Sequence, residues 1–151
     1  DADVVVTTNG GYPLDQNVYQ AVKGMTAAEA TVNDGGVIIM LAKSNDGIGG
    51  DHFYHQLADE ADINKTIDIF LSRGRNETIP DQWQTQILLR ILMKAKVIYV
   101  SDMADEIVEK MHMIPAHSLE EAITKAKKVV SKENITLTAI PDGVSVMVIS
   151  N

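Results

Sequence analysis

Thr7-Thr8-Asn9-Gly10-Gly11-Tyr12-Pro13-Leu14-Asp15-Gln16-Asn17-Val18-Tyr19-Gln20-Ala21-Val22-Lys23-Gly24 is the stretch on which the fold turns. A β-branched run, Val4-Val5-Val6, leads into it, and glycines then break the extended pattern. Beyond Asp15 the spacing is helical. At about 100° per residue Val18, Ala21 and Val22 fall on one side, while Tyr19, Gln20 and Lys23 share a polar sector. The helix is expected from Asp15 to Asn33, interrupted near Gly24, with Thr26 capping a second piece from Ala27 to Val32. Val37-Ile38-Ile39-Met40-Leu41 follows as a continuous apolar run, the pattern of a parallel strand buried on both faces. Strand, helix and strand make one βαβ unit.

Working outward, Val97-Ile98-Tyr99-Val100 reads as a third strand, and Ser44-Asn45-Asp46-Gly47-Ile48-Gly49-Gly50 as a second glycine loop. Helices are expected near Asp51 to Asp59 and Ile63 to Arg73, and from Pro80, placed at the first helical position, to Lys96. Ser101-Asp102 can cap a helix to Lys110, and Ser118-Leu119-Glu120-Glu121 reads as a capping box for a helix to Lys132. Ile135 to Ile140 and Val144 to Ile149 flank Pro141-Asp142-Gly143, the pattern of a hairpin. The fold class is therefore α/β: a layered, mostly parallel sheet flanked by helices, closed by a C-terminal antiparallel hairpin. In such sheets ligands sit at the carboxyl ends of strands, where both glycine loops fall.

The composition of 45% apolar and 23% charged residues over 151 positions suits a single α/β domain spanning 1–151. A net charge of −8 argues against sequence-independent nucleic-acid binding, which needs a basic surface. No apolar run reaches the roughly 18 residues of a membrane span, and no signal-peptide pattern opens the chain, so a cytoplasmic location is expected. Without cysteine there is no disulfide and no thiolate metal site. The chain lacks an initiator methionine and enters its first strand after Asp1-Ala2-Asp3, as expected of a domain taken from a longer protein.

The first loop offers backbone N–H groups and a helix N-terminus, a favourable place for a carboxylate or phosphate, with Lys23 adding a full charge. The plainer alternative is a simple turn, with Tyr19 packed and Lys23 reaching water. The second loop has neither the Rossmann nor the P-loop spacing, which leaves a tight turn letting a helix approach a strand. His52 and His55 lie at i and i+3, and His112 and His117 flank a loop, but no third ligand accompanies them. No metal site is expected, and the histidines take surface or packing roles. Trp83, the sole tryptophan, either joins the core or stacks on a flat ligand at the helix end.

The stretch from Thr7 to Gly24 resembles the opening of the C-terminal domain of the nickel-dependent lactate racemase family. The resemblance continues through Gly35-Gly36-Val37-Ile38, the Asp46-Gly47-Ile48-Gly49 loop, Trp83 and Ile140-Pro141-Asp142-Gly143-Val144. It implies a two-domain enzyme that inverts a 2-hydroxy acid by moving a hydride onto and off a nickel pincer nucleotide. In that family the covalent lysine, the metal-ligating histidine and the acid/base histidines belong to the N-terminal domain, which this chain lacks. None of the four histidines here inherits those roles, and no cofactor-binding residue is assigned. By the resemblance the chain supplies Lys23 and Gln20 as catalytic residues, with Tyr19, Gln20, Lys23 and Trp83 binding substrate. Lys23 would pair with the substrate carboxylate or hold its hydroxyl, Gln20 and Tyr19 would add hydrogen bonds, and Trp83 would wall the pocket. The expected partners are a small 2-hydroxy acid and the protein's own N-terminal domain, with the isolated fragment inactive. The alternative is a stand-alone anion-binding α/β module that keeps the loop as scaffold.

Overall fold

The computed structural model describes residues 1–132 and 134–149. In chain order the elements are β1 (Ala2–Thr8), α1 (Val18–Thr31), β2 (Val32–Leu41), α2 (Asp51–Ala58), α3 (Ile63–Ser72) and α4 (Gln82–Lys94). Then follow β3 (Lys96–Val100), α5 (Asp105–Lys110), β4 (Ile114–Ala116), α6 (Leu119–Val130) and β5 (Leu137–Ile140). The five strands form one sheet in the order β4-β3-β2-β1-β5, and every neighbouring pair runs parallel. The first four strands add in one direction, and the connection through α6 then crosses back to place β5 beside β1.

Because side chains alternate across a strand, the apolar runs serve two cores at once. Val5, Ile38, Met40, Val97 and Tyr99 face a core shared with α1, α2 and α4, built on Val22, Met25, Phe53, Leu57, Leu88 and Ile91. Val4, Val37, Ile39 and Ile98 face α6, where Ala122 and Ala126 let the helix lie close to the sheet. Val37 through Met40 are all fully buried, the outcome expected of their unbroken run. Each such side chain contributes about 1.5–3 kcal/mol on leaving water.

Four expectations are corrected. The helix after the first loop is not interrupted near Gly24: α1 is continuous, and Thr26 does not cap a second piece but donates its hydroxyl back to the Lys23 carbonyl at 2.7 Å. Gly24 is needed for approach, since a Cβ there would lie 2.1 Å from Asn9 Oδ1 and 2.9 Å from the Thr8 carbonyl. Nor do the described residues form the expected C-terminal antiparallel hairpin. β5 pairs in parallel with β1, and residues 144–149 carry no strand. Asp142 accepts the amides of Val144 and Ser145, and Gly143 is pressed onto α1, where a Cβ would sit 2.3 Å from the Gly24 carbonyl. The chain is thereby turned along α1 rather than back along β5. Finally, Pro80 precedes its helix, whose cap is Asp81, and α5 is capped at Ala104 rather than Ser101 or Asp102. The Ser118 cap is as expected, its hydroxyl accepting the Glu121 amide at 3.1 Å.

β4 was not expected at all. It is three residues long and contains Pro115, and such a proline-bearing segment is tolerated only at a sheet edge.

Candidate functional site

The site is built on the first two turns of α1 and the first turn of α4. Asn17 starts α1 by accepting the Gln20 amide at 2.9 Å, as an N-cap does. The Val18 and Tyr19 amides go to the carbonyls of Gly47 and Ile48, at 3.2 and 3.0 Å. Three N–H groups at the helix end are therefore already bonded. The expected use of this N-terminus for an anion is corrected: the second glycine loop occupies it, with Gly49 (φ 85°) pressed against the Asn17 side chain. Any anion held here must rely on side chains.

Those side chains lie side by side. Lys23 donates to Gln20 Oε1 at 2.6 Å, and both stand one turn apart on the outer face of α1. The Tyr19 ring meets Trp83 edge-on at 5.9 Å between centroids and Phe53 at 5.4 Å, while its hydroxyl donates to Asp81 at 3.3 Å. Burial first, then the Asp81 carboxylate, raise the Tyr19 hydroxyl above the usual phenol range. Trp83 is 54% exposed, which removes it from the core and leaves its indole face available.

Lys23 and Trp83 line one groove of about 420 Å³, walled by Thr26 and Ile87 and closed by the segment from Gly143 to Val148. Gln20 and Tyr19 do not line that groove. Gln20 is tied to Lys23 beside it, and Tyr19 supports Trp83 from behind. Among the described residues Lys23 forms no ion pair, so its charge is directed only at an amide and at solvent. Gln84, fully buried at the groove wall, donates to the Tyr19 carbonyl, while its own Oε1 has no partner.

Asp81, Gln84 and the 143–148 wall were missed by sequence reading. Pro80-Asp81-Gln82-Trp83 carried a usable signal, an Asp one residue ahead of a helix, but nothing local tied it to Tyr19.

A second hollow, of about 350 Å³, opens at the carboxyl ends of β1, β2 and β3 between Thr8, Asp15, Lys43, Asp102 and His117. None of the four candidate residues lies there. Its imidazole is engaged within the fold, His117 meeting Asp105 at 2.8 Å and the Ser101 carbonyl at 3.3 Å. His112 contacts the Leu57 carbonyl and His55 pairs with Asp59, which gives both histidines roles in packing or at the surface.

With this geometry in view, comparison with known proteins is direct. A family model described as the lactate racemase C-terminal domain matches residues 1–148. The chain belongs to that family. It is 53% identical over 148 residues to a lactate racemase of Thermoanaerobacterium thermosaccharolyticum, covering 97% of this chain and 34% of that protein. It is 52% identical over 151 residues to a lactate racemase of Lactiplantibacillus plantarum, covering 98% and 35%. The solved structure of the T. thermosaccharolyticum lactate racemase apoprotein superposes with a TM-score of 0.95 at 52% identity, covering 99% of this chain and 36% of that one. This chain thus spans about a third of the length of the curated relatives it matches.

Among the described residues of the domain, no three His, Cys, Asp or Glu side chains gather into a group that could hold a metal ion. The groove offers the Lys23 ammonium, with the Gln20 amide bonded to it from beside the groove, a pair that suits a carboxylate. These residues do not fit a nickel-ligand set.

Proposed function

We propose that this chain is the substrate-closing domain of a two-domain 2-hydroxy acid racemase or epimerase, with lactate the substrate to which the relatives' name points. Support comes from one observation above the others: the Lys23 ammonium, which forms no ion pair among the described residues, and the exposed Trp83 indole line one groove, with the Gln20 amide bonded to Lys23 beside it. In this reading a nickel pincer nucleotide, supplying hydride acceptance when bound, is held by an N-terminal domain together with the histidines that move protons. A cytoplasmic location belongs to the same proposal.

Inverting a 2-hydroxy acid requires loss of the C2 hydrogen and its return to the opposite face, while the carboxylate stays put. Lys23 suits that anchoring task, because a charge-assisted bond from an ammonium to a carboxylate is roughly twice as strong as a neutral one. Gln20 fits beside it: its Oε1 is taken by Lys23, so its NH₂ is left to donate to the same carboxylate or to the hydroxyl. Trp83 closes over the substrate and keeps water from the reacting carbon. Orientation and exclusion of water, rather than proton transfer, are what these groups contribute.

The test is racemisation by the full-length, cofactor-loaded protein, beginning from one enantiomer of lactate and followed by chiral chromatography. Lys23→Ala should lower the rate by about a thousandfold, some 4 kcal/mol of transition-state stabilisation, with the fold intact by circular dichroism. Wild-type rates in that variant would remove Lys23 from the site.

A further inference from the structure

α1 and α4 are tied to each other near both ends. At the far end Arg90 forks onto the Glu29 carboxylate through two bonds of 2.7 Å, and Lys94 donates to the Glu29 carbonyl at 2.7 Å. Midway, Val22, Met25, Leu88 and Ile91 share one core. At the near end, where Lys23 and Trp83 line the groove, Gln84 reaches across and donates Nε2 to the Tyr19 carbonyl at 2.5 Å. The fork and the core already join the two helices, so what Gln84 adds is local.

That local bond is a costly one. Gln84 is fully buried, and because a carbonyl can only accept, its amide must meet Tyr19 with the NH₂ and turn Oε1 away. Among the described residues Oε1 finds no donor. A buried acceptor left unpaired costs more than one neutral hydrogen bond returns. Nor does the Tyr19 carbonyl depend on Gln84, since in a continuous α1 it takes the Lys23 amide one turn on. For stability alone, an apolar side chain of the same length would serve here as well or better.

What the bond does fix is a relation between two backbones. The Tyr19 carbonyl and the Lys23 amide belong to one turn of α1, and Gln84 directly follows Trp83 in the first turn of α4. One bond therefore sets the turn that carries the ammonium against the turn that carries the indole. Resting on the site reading above, we propose that Gln84 is a positioning residue for the racemisation: it holds Lys23 and Trp83 at a fixed separation across the groove. It touches no substrate and acts through those two side chains. Its unpaired Oε1 is the stability given up for that alignment.

Gln84→Met and Gln84→Leu, which remove the amide, are measured in the full-length, cofactor-loaded racemase, alone and joined to Trp83→Ala. Each should lower kcat about tenfold with KM changed less than about threefold, because the anchoring charge remains while its alignment with the indole is lost. The melting temperature should hold within about 3 °C or rise. In the Trp83→Ala background the same changes should cost less than about a further twofold, since no indole is left to align. A wild-type kcat in both Gln84 variants overturns the proposal, as do losses that multiply with that of Trp83→Ala. A melting temperature lowered by more than about 3 °C in both variants, or failure of both to fold, makes Gln84 a packing residue and overturns it too. A silent Trp83→Ala removes the indole from the site reading, and this inference with it, whereas silent Gln84 variants beside an impaired Trp83→Ala remove only the inference.

Discussion

The two hollows of this domain make an instructive pair. The one at the carboxyl ends of β1, β2 and β3 has the position that parallel sheets commonly use for ligands, yet its imidazole is already engaged, His117 with Asp105 and the Ser101 carbonyl. The groove between α1, α4 and residues 143–148 lies off that position, and it holds an ammonium that no carboxylate of the described residues answers and an indole left 54% exposed. A buried or exposed polar group already bonded within the fold has little left to offer a ligand. What distinguishes the groove is what it presents: an ammonium beside a carboxamide and an exposed indole, where the strand-end hollow sets Lys43 among the carboxylates Asp15 and Asp102.

That contrast is most sharply broken by exchanging the lysines. Lys23→Ala should cost about a thousandfold in racemisation, while Lys43→Ala, in the other hollow, should stay within twofold in the same assay. Equal losses would make the strand-end hollow part of the site. Next in size is the contact that seats α1 against the end of β1. Gly24→Ala should destabilise the domain by about 2–4 kcal/mol in urea unfolding, because its Cβ meets Asn9 Oδ1 and the Thr8 carbonyl. A neutral result would show that α1 can move away from β1 at no cost.

Trp83→Ala separates function from fold. The indole is exposed, so stability should change by less than about 1 kcal/mol, whereas racemisation should fall roughly tenfold. A large loss of stability would return Trp83 to a packing role.

The smallest effect concerns the far end of β1, where Asp3 accepts from Lys132, Thr136 and Asn33 and ties the β5 approach to the sheet. The Lys132 bond first, then those from Thr136, hold the Asp3 carboxyl well below the usual carboxylate range. A depressed folded-state value adds stability above the unfolded pKa, about 3.9, and loses it as pH falls further. Asp3→Asn should therefore lower the melting temperature at pH 7, and the gap to the unaltered protein should shrink below about pH 4. A gap that widens in acid would contradict this clasp.

Much of the architecture was legible in the residues. Val37 to Met40 announced a strand buried on both faces, and Ser118 announced its helix, because apolar periodicity and capping are local properties. The four site residues were reached through resemblance together with the polar sector of α1. What local reading missed depends on partners far along the chain. Gly24 looked like a helix break, yet its role is set by Asn9. The segment after Pro141-Asp142-Gly143 looked like a returning strand, yet Gly143 is held against α1. The first loop looked like an anion cradle, yet Gly47 and Ile48 had already taken its amides.

From its residues alone, then, the chain determined a parallel α/β layer, the family to which it is similar, and a helix presenting Tyr19, Gln20 and Lys23 on one polar sector. Only the folded arrangement decided which of those groups stay unsatisfied, and that Asp81, 62 residues from Tyr19, holds its phenol. Periodicity is written in neighbours along the chain, but whether a donor or acceptor remains free is decided by whatever else the fold brings within about 3 Å of it.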